Sequence, residues 1–220
     1  SRPPLPVVME EPRIWFNPTL ESAHFLVPGL IGMLLMLSAV VATSLSIVRE
    51  KENETMEQIM ASPIRPEELV LGKTLPYVAV CLVTMAMILV LGYFLFGVEI
   101  RGSFLVLGAA TVCFLFAALG MGVLISSATS SQQMAFQIAI LSSLLPSLLL
   151  SGLIFPLQNM PLPIQGLSVL VVPKYFVAAL RGVILKGASW SVVWPQLLGM
   201  ILLGALFNLL AVRNVRKSVR

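Results

Sequence analysis

Long apolar runs separated by short polar breaks set the pattern of this chain. Five runs, 25–48, 74–98, 104–126, 134–155 and 192–212, are continuous enough to be read as single units. An α-helix of about 20 apolar residues crosses the roughly 30 Å hydrocarbon core of a bilayer. The pattern therefore predicts an all-α integral membrane protein with about five transmembrane helices. The breaks carry their own signals. Segment 49–73 holds most of the acids, 99–103 is a short charged turn, and 127–133 is a run of small polar residues.

Segment 156–191 reads differently. Its apolar stretch 164–172 is bounded by Pro163 and Pro173 and is too short to cross. In the next stretch, 174–186, Tyr175, Phe176, Ala179, Val183 and Ile184 fall near one helical face, with Arg181 elsewhere. This predicts a re-entrant or interfacial helical pair rather than a sixth span. Pro146 and Pro156 predict kinks in, or at the end of, the fourth span.

Composition agrees with this reading. The 220 residues are 58% hydrophobic and only 11% charged, with mean hydropathy +0.96. A soluble domain carries about 25% charged residues, and no soluble fold hides this much apolar surface. Between Arg101 and Lys174 no residue is charged. A Lys, Arg or Asp at a span centre costs roughly 2.5–3.5 kcal/mol. Cys81 and Cys113 fall inside spans and read as small hydrophobes. The net charge of +4 fits topology and contact with membrane lipids. No basic stripe with interleaved aromatics points to nucleic acid.

Orientation comes from the basic residues near span ends. The tail 213–220 holds Arg213, Arg216, Lys217 and Arg220, which places it in the cytoplasm. Segment 49–73 adds Arg49, Lys51, Arg65 and Lys73 on the same side. The other side carries Arg2, Arg13, Arg101, Lys174, Arg181 and Lys186, spread over a longer length. Five spans then put the N-terminus outside. Residues 1–24 are expected to be an extracytoplasmic segment, 25–212 the transmembrane domain and 213–220 a basic cytoplasmic tail. The polar, proline-rich start has no signal-peptide pattern, so an upstream span or signal is expected.

The cytoplasmic loop is the most informative stretch. It runs Arg49-Glu50-Lys51-Glu52-Asn53-Glu54-Thr55-Met56-Glu57-Gln58-Ile59-Met60-Ala61-Ser62-Pro63-Ile64-Arg65-Pro66-Glu67-Glu68. Thr55 and Gln58 fit a capping box for a short helix. Met56, Ile59 and Met60 form an apolar stripe on it, and Pro63 stops it. Pro66, with Glu67 and Glu68 behind it, suits the first turn of a new helix leading into the second span. The plain reading is a solvated connector. The stripe and the break-and-restart pattern point instead to a docking element, because methionine-rich faces adapt to partner surfaces.

The run 49–73 resembles the signature of the type-2 ABC exporter permeases, in which Arg-Glu-x-Glu-x-Gly-Thr-x-Glu precedes a Ser-Pro-hydrophobic segment and a Gly-Lys. Trp15-Phe16-Asn17-Pro18 ahead of the first span is a further match. So are Pro173-Lys174-Tyr175-Phe176 and Leu180-Arg181-Gly182 ahead of the last. Glu54 departs from the pattern, where the family usually has glycine. The family also has an additional N-terminal span and a large extracytoplasmic domain, in keeping with the expected upstream segment.

The resemblance implies a permease subunit of an ATP-driven exporter in the bacterial cytoplasmic (inner) membrane. Its substrate is expected to be lipid-like, a polysaccharide or an amphipathic drug. It implies that Arg49, Glu50, Glu52, Glu54, Thr55, Met56, Glu57, Ile59, Met60, Ser62 and Pro63 couple the chain to an ABC ATPase subunit or domain. ATP and magnesium are then expected in that partner, with no cofactor in this chain. A second permease copy or a homologous permease completes the pathway, whose exit is shaped by the outer pair with Pro173, Tyr175, Phe176 and Arg181.

Other signals lead away from enzymes. Leu71-Gly72-Lys73-Thr74 resembles the end of a phosphate-binding loop, but that motif requires glycine where the chain has Glu67. His24 is the sole histidine, and no cluster has metal-ligand spacing. Ser143, Ser147 and Ser151 lack a companion base. Their spacing makes a small-residue packing face or, alternatively, a polar groove lining the substrate pathway. An ion-coupled transporter needs an ionisable group near mid-membrane, and the nearest polar candidates are Gln137 and Asn208. The alternative that shares the docking loop is a non-transporting membrane anchor or assembly factor for a cytosolic ATPase.

Single cysteines test the topology in a Cys81→Ala, Cys113→Ala background. Those at Ser62 and Ser130 are expected to be protected from an impermeant thiol reagent in intact cells, and one at Ser189 to react. Labelling at Ser62 from outside inverts the orientation.

Overall fold

A computed structural model describes residues 22–53, 66–98, 100–153 and 159–218. Within them the chain forms α1 (Ser22–Glu52), α2 (Pro66–Phe96), α3 (Phe104–Ala128), α4 (Gln132–Leu150), α5 (Leu162–Ser168), α6 (Val172–Lys186) and α7 (Trp190–Ser218). Five segments are long and apolar enough to span a bilayer: Leu26–Glu52, Leu71–Phe96, Phe104–Ala128, Gln132–Leu150 and Trp190–Asn214. These are the five runs read from the sequence, with shifted ends. The first helix continues past its apolar run through Arg49 to Glu52, because a helix has no need to stop at the edge of the hydrocarbon and these residue types favour it. The helix expected to restart at Pro66 does begin there.

The fourth run departs most from expectation. Its helix stops at Leu150, although apolar sequence continues to Phe155. Ser151 Oγ donates to the Ser147 carbonyl and accepts from the Leu153 N–H (3.2 Å), so the hydroxyl competes with the regular helical ladder. Gly152 then takes φ +77°, and Leu153 turns inward and is buried beside Gly29 of α1. Pro146 lies inside α4, which continues past it.

Segments α5 and α6 form the bent pair, crossing a break at an angle of 84°. Pro173 starts α6 in its first turn, and Gly187, at φ +62°, ends it. Phe176, Ala179, Val183 and Ile184 are buried as expected, and Leu180 shares their face. Tyr175 is the exception. It is half-buried, lies over Gly199 of α7, and donates its hydroxyl to the Val169 carbonyl (2.9 Å). Phe176 stacks on Phe114 of α3, with centroids 4.1 Å apart and planes at 17°, which docks the pair onto the bundle.

The core runs along α3, which packs chiefly against α7 and α1. Lipid tails are as apolar as leucine, so helices associate here through close packing and hydrogen bonds. Small residues permit that approach. A Cβ on Gly122 would lie 1.8 Å from Thr43 Oγ1 and 2.9 Å from the Val40 carbonyl of α1. One on Gly120 would lie 2.3 Å from Asn208 Nδ2, which donates to the Gly204 carbonyl (2.8 Å) and the Phe116 carbonyl (3.2 Å). Asn208 therefore serves as an interhelical tie between α7 and α3. By contrast α2 leaves Leu75, Val83, Met87, Phe94 and Leu95 exposed, and it meets the bundle mainly through Cys81 and Met85.

Gly122→Leu is expected to force α1 from α3. Overpacking of this kind costs about 1–3 kcal/mol or more, so the unfolding temperature in detergent should fall. Gly108→Leu is the matched control, because a Cβ there meets nothing within 4 Å. Equal melting of the two variants would contradict the packing assignment.

Candidate functional site

The charged end of α1 meets the α3–α4 turn and the start of α2 at one end of the bundle. Of the residues assigned to coupling, Arg49, Glu50 and Glu52 are described here. Glu54, Thr55, Met56, Glu57, Ile59, Met60, Ser62 and Pro63 lie outside the described residues. Arg49 is exposed. The next three residues each reach a different helix.

Glu50 forms an ion pair with Lys73 of α2, joining the two ends of the loop. The side chains remain 24% and 28% exposed, and pairs open to water contribute only about 0.2–1 kcal/mol. Lys51 is more deeply set. Its ammonium donates to the carbonyls of Ser127 (3.0 Å), Thr129 (3.1 Å) and Ser126 (3.3 Å). These surround the C-terminus of α3, where the helix dipole is negative and terminal carbonyls lack intrahelical partners. A cation in a partly buried setting of this kind contributes up to about 2 kcal/mol. Lys51 is therefore the stronger of the two contacts.

Glu52 acts on the opposite pole. Its carboxylate accepts from the Gln132 backbone N–H (2.7 Å) and from the Gln132 side-chain amide at the N-terminus of α4. There the dipole is positive. One turn higher, the Val48 N–H donates to Ser126 Oγ (3.0 Å). The last turn of α1 thus grips α2, α3 and α4 with consecutive side chains.

Lys51 and Lys73 entered the sequence reading only through orientation and the family signature, and Ser126 and Gln132 had no role in it. Gln132, in the small polar run 127–133, is the partner of Glu52. No local signal in the sequence pointed to that pairing, because Glu52 and Gln132 stand 80 positions apart.

Ser143 and Ser147 are buried in α4 on the side that carries Ala135 and Ala139, and Ser151 is buried at its end. Ser143 donates to the Ala139 carbonyl (2.6 Å) and Ser147 to the Ser143 carbonyl (2.5 Å). With these back-bonds the hydroxyls face within the chain, and α4 rests mainly on α1. At the far end of α4, Arg181 of α6 donates Nη1 to the Gly152 carbonyl (2.9 Å), so the bent pair also holds α4. Pro173 and Phe176 are buried in α6. Among the described residues, no group of three or more His, Cys, Asp or Glu is placed to hold a metal ion.

Known proteins share this arrangement of sequence. The family described as ABC-2 family transporter protein matches residues 2–213. The probable multidrug ABC transporter permease YbhS of Escherichia coli (strain K12) is 35% identical over 202 residues, 92% of this chain and 54% of its own length. The probable multidrug ABC transporter permease YbhR of the same strain is 32% identical over 207 residues, covering 94% and 56%. The inner membrane transport permease YhhJ, also of that strain, is 32% identical over 216 residues, covering 97% and 57%. The chain spans about half the length of these curated relatives. The match takes in all five spans, the bent pair and the charged turn that grips three helices, and on that ground the chain belongs to the ABC-2 family of transporter proteins.

Proposed function

We propose that this chain is the membrane-spanning permease portion of an ATP-driven exporter in the bacterial cytoplasmic membrane. The observation that carries the proposal is the concentration of polar ties at one end of an otherwise apolar bundle, flanking the Met56/Ile59/Met60 stripe. Three helices are gripped where the loop leaves and rejoins the spans. A cytosolic ABC ATPase subunit or domain docked on that loop supplies the energy, with ATP and magnesium held by the partner. The permease itself performs no hydrolysis. Two permease units frame the pathway, and the α5–α6 pair shapes its outer end.

A groove of about 580 Å³ between α1, α2 and α4 bears on the substrate. Leu34, Val41, Ile88, Phe136 and Ile140 line it, and the hydroxyls of Ser38 and Thr84 are turned back onto the carbonyls of Leu35 and Val80. A polysaccharide needs outward hydrogen-bonding groups. This wall supports a lipid-like or amphipathic drug substrate, the latter matching the names of YbhS and YbhR.

Helix-in-groove docking makes the apolar stripe the anchor and the glutamates the rim. Truncating a buried anchor commonly costs about 2 kcal/mol or more. Met56→Asp and Ile59→Ala are therefore expected to reduce co-purification of the partner ATPase and to abolish transport, with membrane insertion unchanged. Glu57→Lys should give a milder, salt-sensitive defect. Ser189→Ala, at the other end of the bundle, is the control. Intact co-purification and transport in Met56→Asp would reduce the loop to a connector. ATPase binding without any transport by the wild-type complex would favour the anchor reading.

A further inference from the structure

We propose that Lys51 and Glu52 are positioning residues that make the α3–α4 turn travel with the end of α1, so that a displacement delivered to α1 moves α4 as a rod. The inference rests on the exporter reading only in that the docked ATPase supplies the displacement.

The geometry over-determines the turn. A lysine ammonium has three donors, and Lys51 directs them at three carbonyls within four residues, Ser126, Ser127 and Thr129. Glu52 holds Gln132 by both its backbone N–H and its side-chain amide. Sliding the turn along α1 would break all of these bonds at once.

Capping from within the turn covers only part of these helix ends. Ser131 already caps α4, accepting from the Met134 N–H (3.2 Å). At the end of α3, Ser127 Oγ donates to the Leu124 carbonyl (2.8 Å) and Thr129 Oγ1 to the Ile125 carbonyl (2.9 Å). Local hydroxyls thus meet the Met134 N–H and the carbonyls of Leu124 and Ile125, while the Gln132 N–H and the carbonyls of Ser126, Ser127 and Thr129 are met from α1, a different element.

Helix α4, next in the chain after the turn, is packed so that it can carry motion. It rests chiefly on α1 and only slightly on α3, the helix before it. Its face towards α1 is the small-residue line Ala135, Ala139, Ser143 and Ser147, which lets the two helices pack closely. At its far end the Gly152 carbonyl is held by Arg181 of the bent pair, and Leu153 sits beside Gly29. Polar ties therefore fix α4 at both ends, Glu52 at its positive pole and Arg181 at its negative one. A shift at the charged end arrives at the α5–α6 pair without passing through the α3–α7 core.

The test uses the full-length transporter with its ATPase in lipid nanodiscs. Spin labels are placed at Met134→Cys, near the start of α4, and Arg213→Cys, late in α7, in the Cys81→Ala, Cys113→Ala background; both positions are exposed. Their distance within one chain is measured without nucleotide and with ATP plus vanadate. The wild type and Lys51→Arg are expected to show a nucleotide-dependent shift. The Lys51→Met, Glu52→Gln chain should lose most of it while keeping the nucleotide-free distance, with the bound ATPase quantified in each sample and the shift compared per bound ATPase. A merely structural role would lower yield and melting temperature without removing the shift. A wild-type shift in the double variant, or no shift in the wild type, overturns the proposal. Should the double variant fail to accumulate, Glu52→Gln alone, which keeps an acceptor but loses the charge, is expected to reduce the shift; an undiminished shift there overturns it equally. Failure of the ATPase to co-purify with the wild type would instead strike the exporter reading, and with it the source of the displacement.

Discussion

Hydrocarbon offers no partner to a backbone carbonyl or amide, so a chain crossing it must satisfy those groups internally. Helices do this everywhere except at their ends, where unmatched groups and the poles of the dipole remain. The architecture of this chain depends on how those ends are met. Ser103 and Ser131 cap the starts of α3 and α4 from within their own turns. Lys51, Glu52 and Arg181 then bring charge from other helices to the ends of α3 and α4. Each lies near a bundle end, where a charged group avoids the cost of the bilayer centre.

Between its ends the bundle depends on contact distance. Gly120 and Gly122 let α3 approach α7 and α1 closely enough for Asn208 and Thr43 to pack into it. Buried hydroxyls turn back on their own helices, as Thr43 does onto the Ala39 carbonyl (2.7 Å). The interior combines these small residues and back-bonded hydroxyls with large apolar side chains such as Ile31, Leu35, Phe114, Leu119 and Phe176, and further large apolar side chains cover α2 and the outer sides of α4 and α7. A surface as apolar as the core fits a lipid surround.

The two regions tied to the proposed function differ physically from the core between them. The α3–α7 contact is extensive and closely packed. The charged end of α1 and the Arg181–Gly152 tie consist of a few directional bonds, which under the proposal shift as units. A transporter needs both properties, a rigid axis and elements that move against it.

The membrane class, the five spans, the bent pair and the restart at Pro66 were all legible in the order of residues, because each rests on local chemistry. Apolar length selects spans, proline breaks helices, and charge avoids hydrocarbon. The family was legible for the same reason, since its motif is contiguous from Arg49 to Lys73. Which partner each charge meets became settled only in the packed bundle. Nothing in Arg49-Glu50-Lys51-Glu52 says that successive residues serve α2, α3 and α4, since their partners stand 23 to 80 positions away. Packing also fixed the early end of α4, where Ser151 and Gly152 outweigh an apolar run that continues to Phe155. Tyr175 was displaced from the buried face because Gly199 leaves room for its ring on α7. Periodicity reports which side of a helix is apolar, but only the packed neighbours determine where that side is covered.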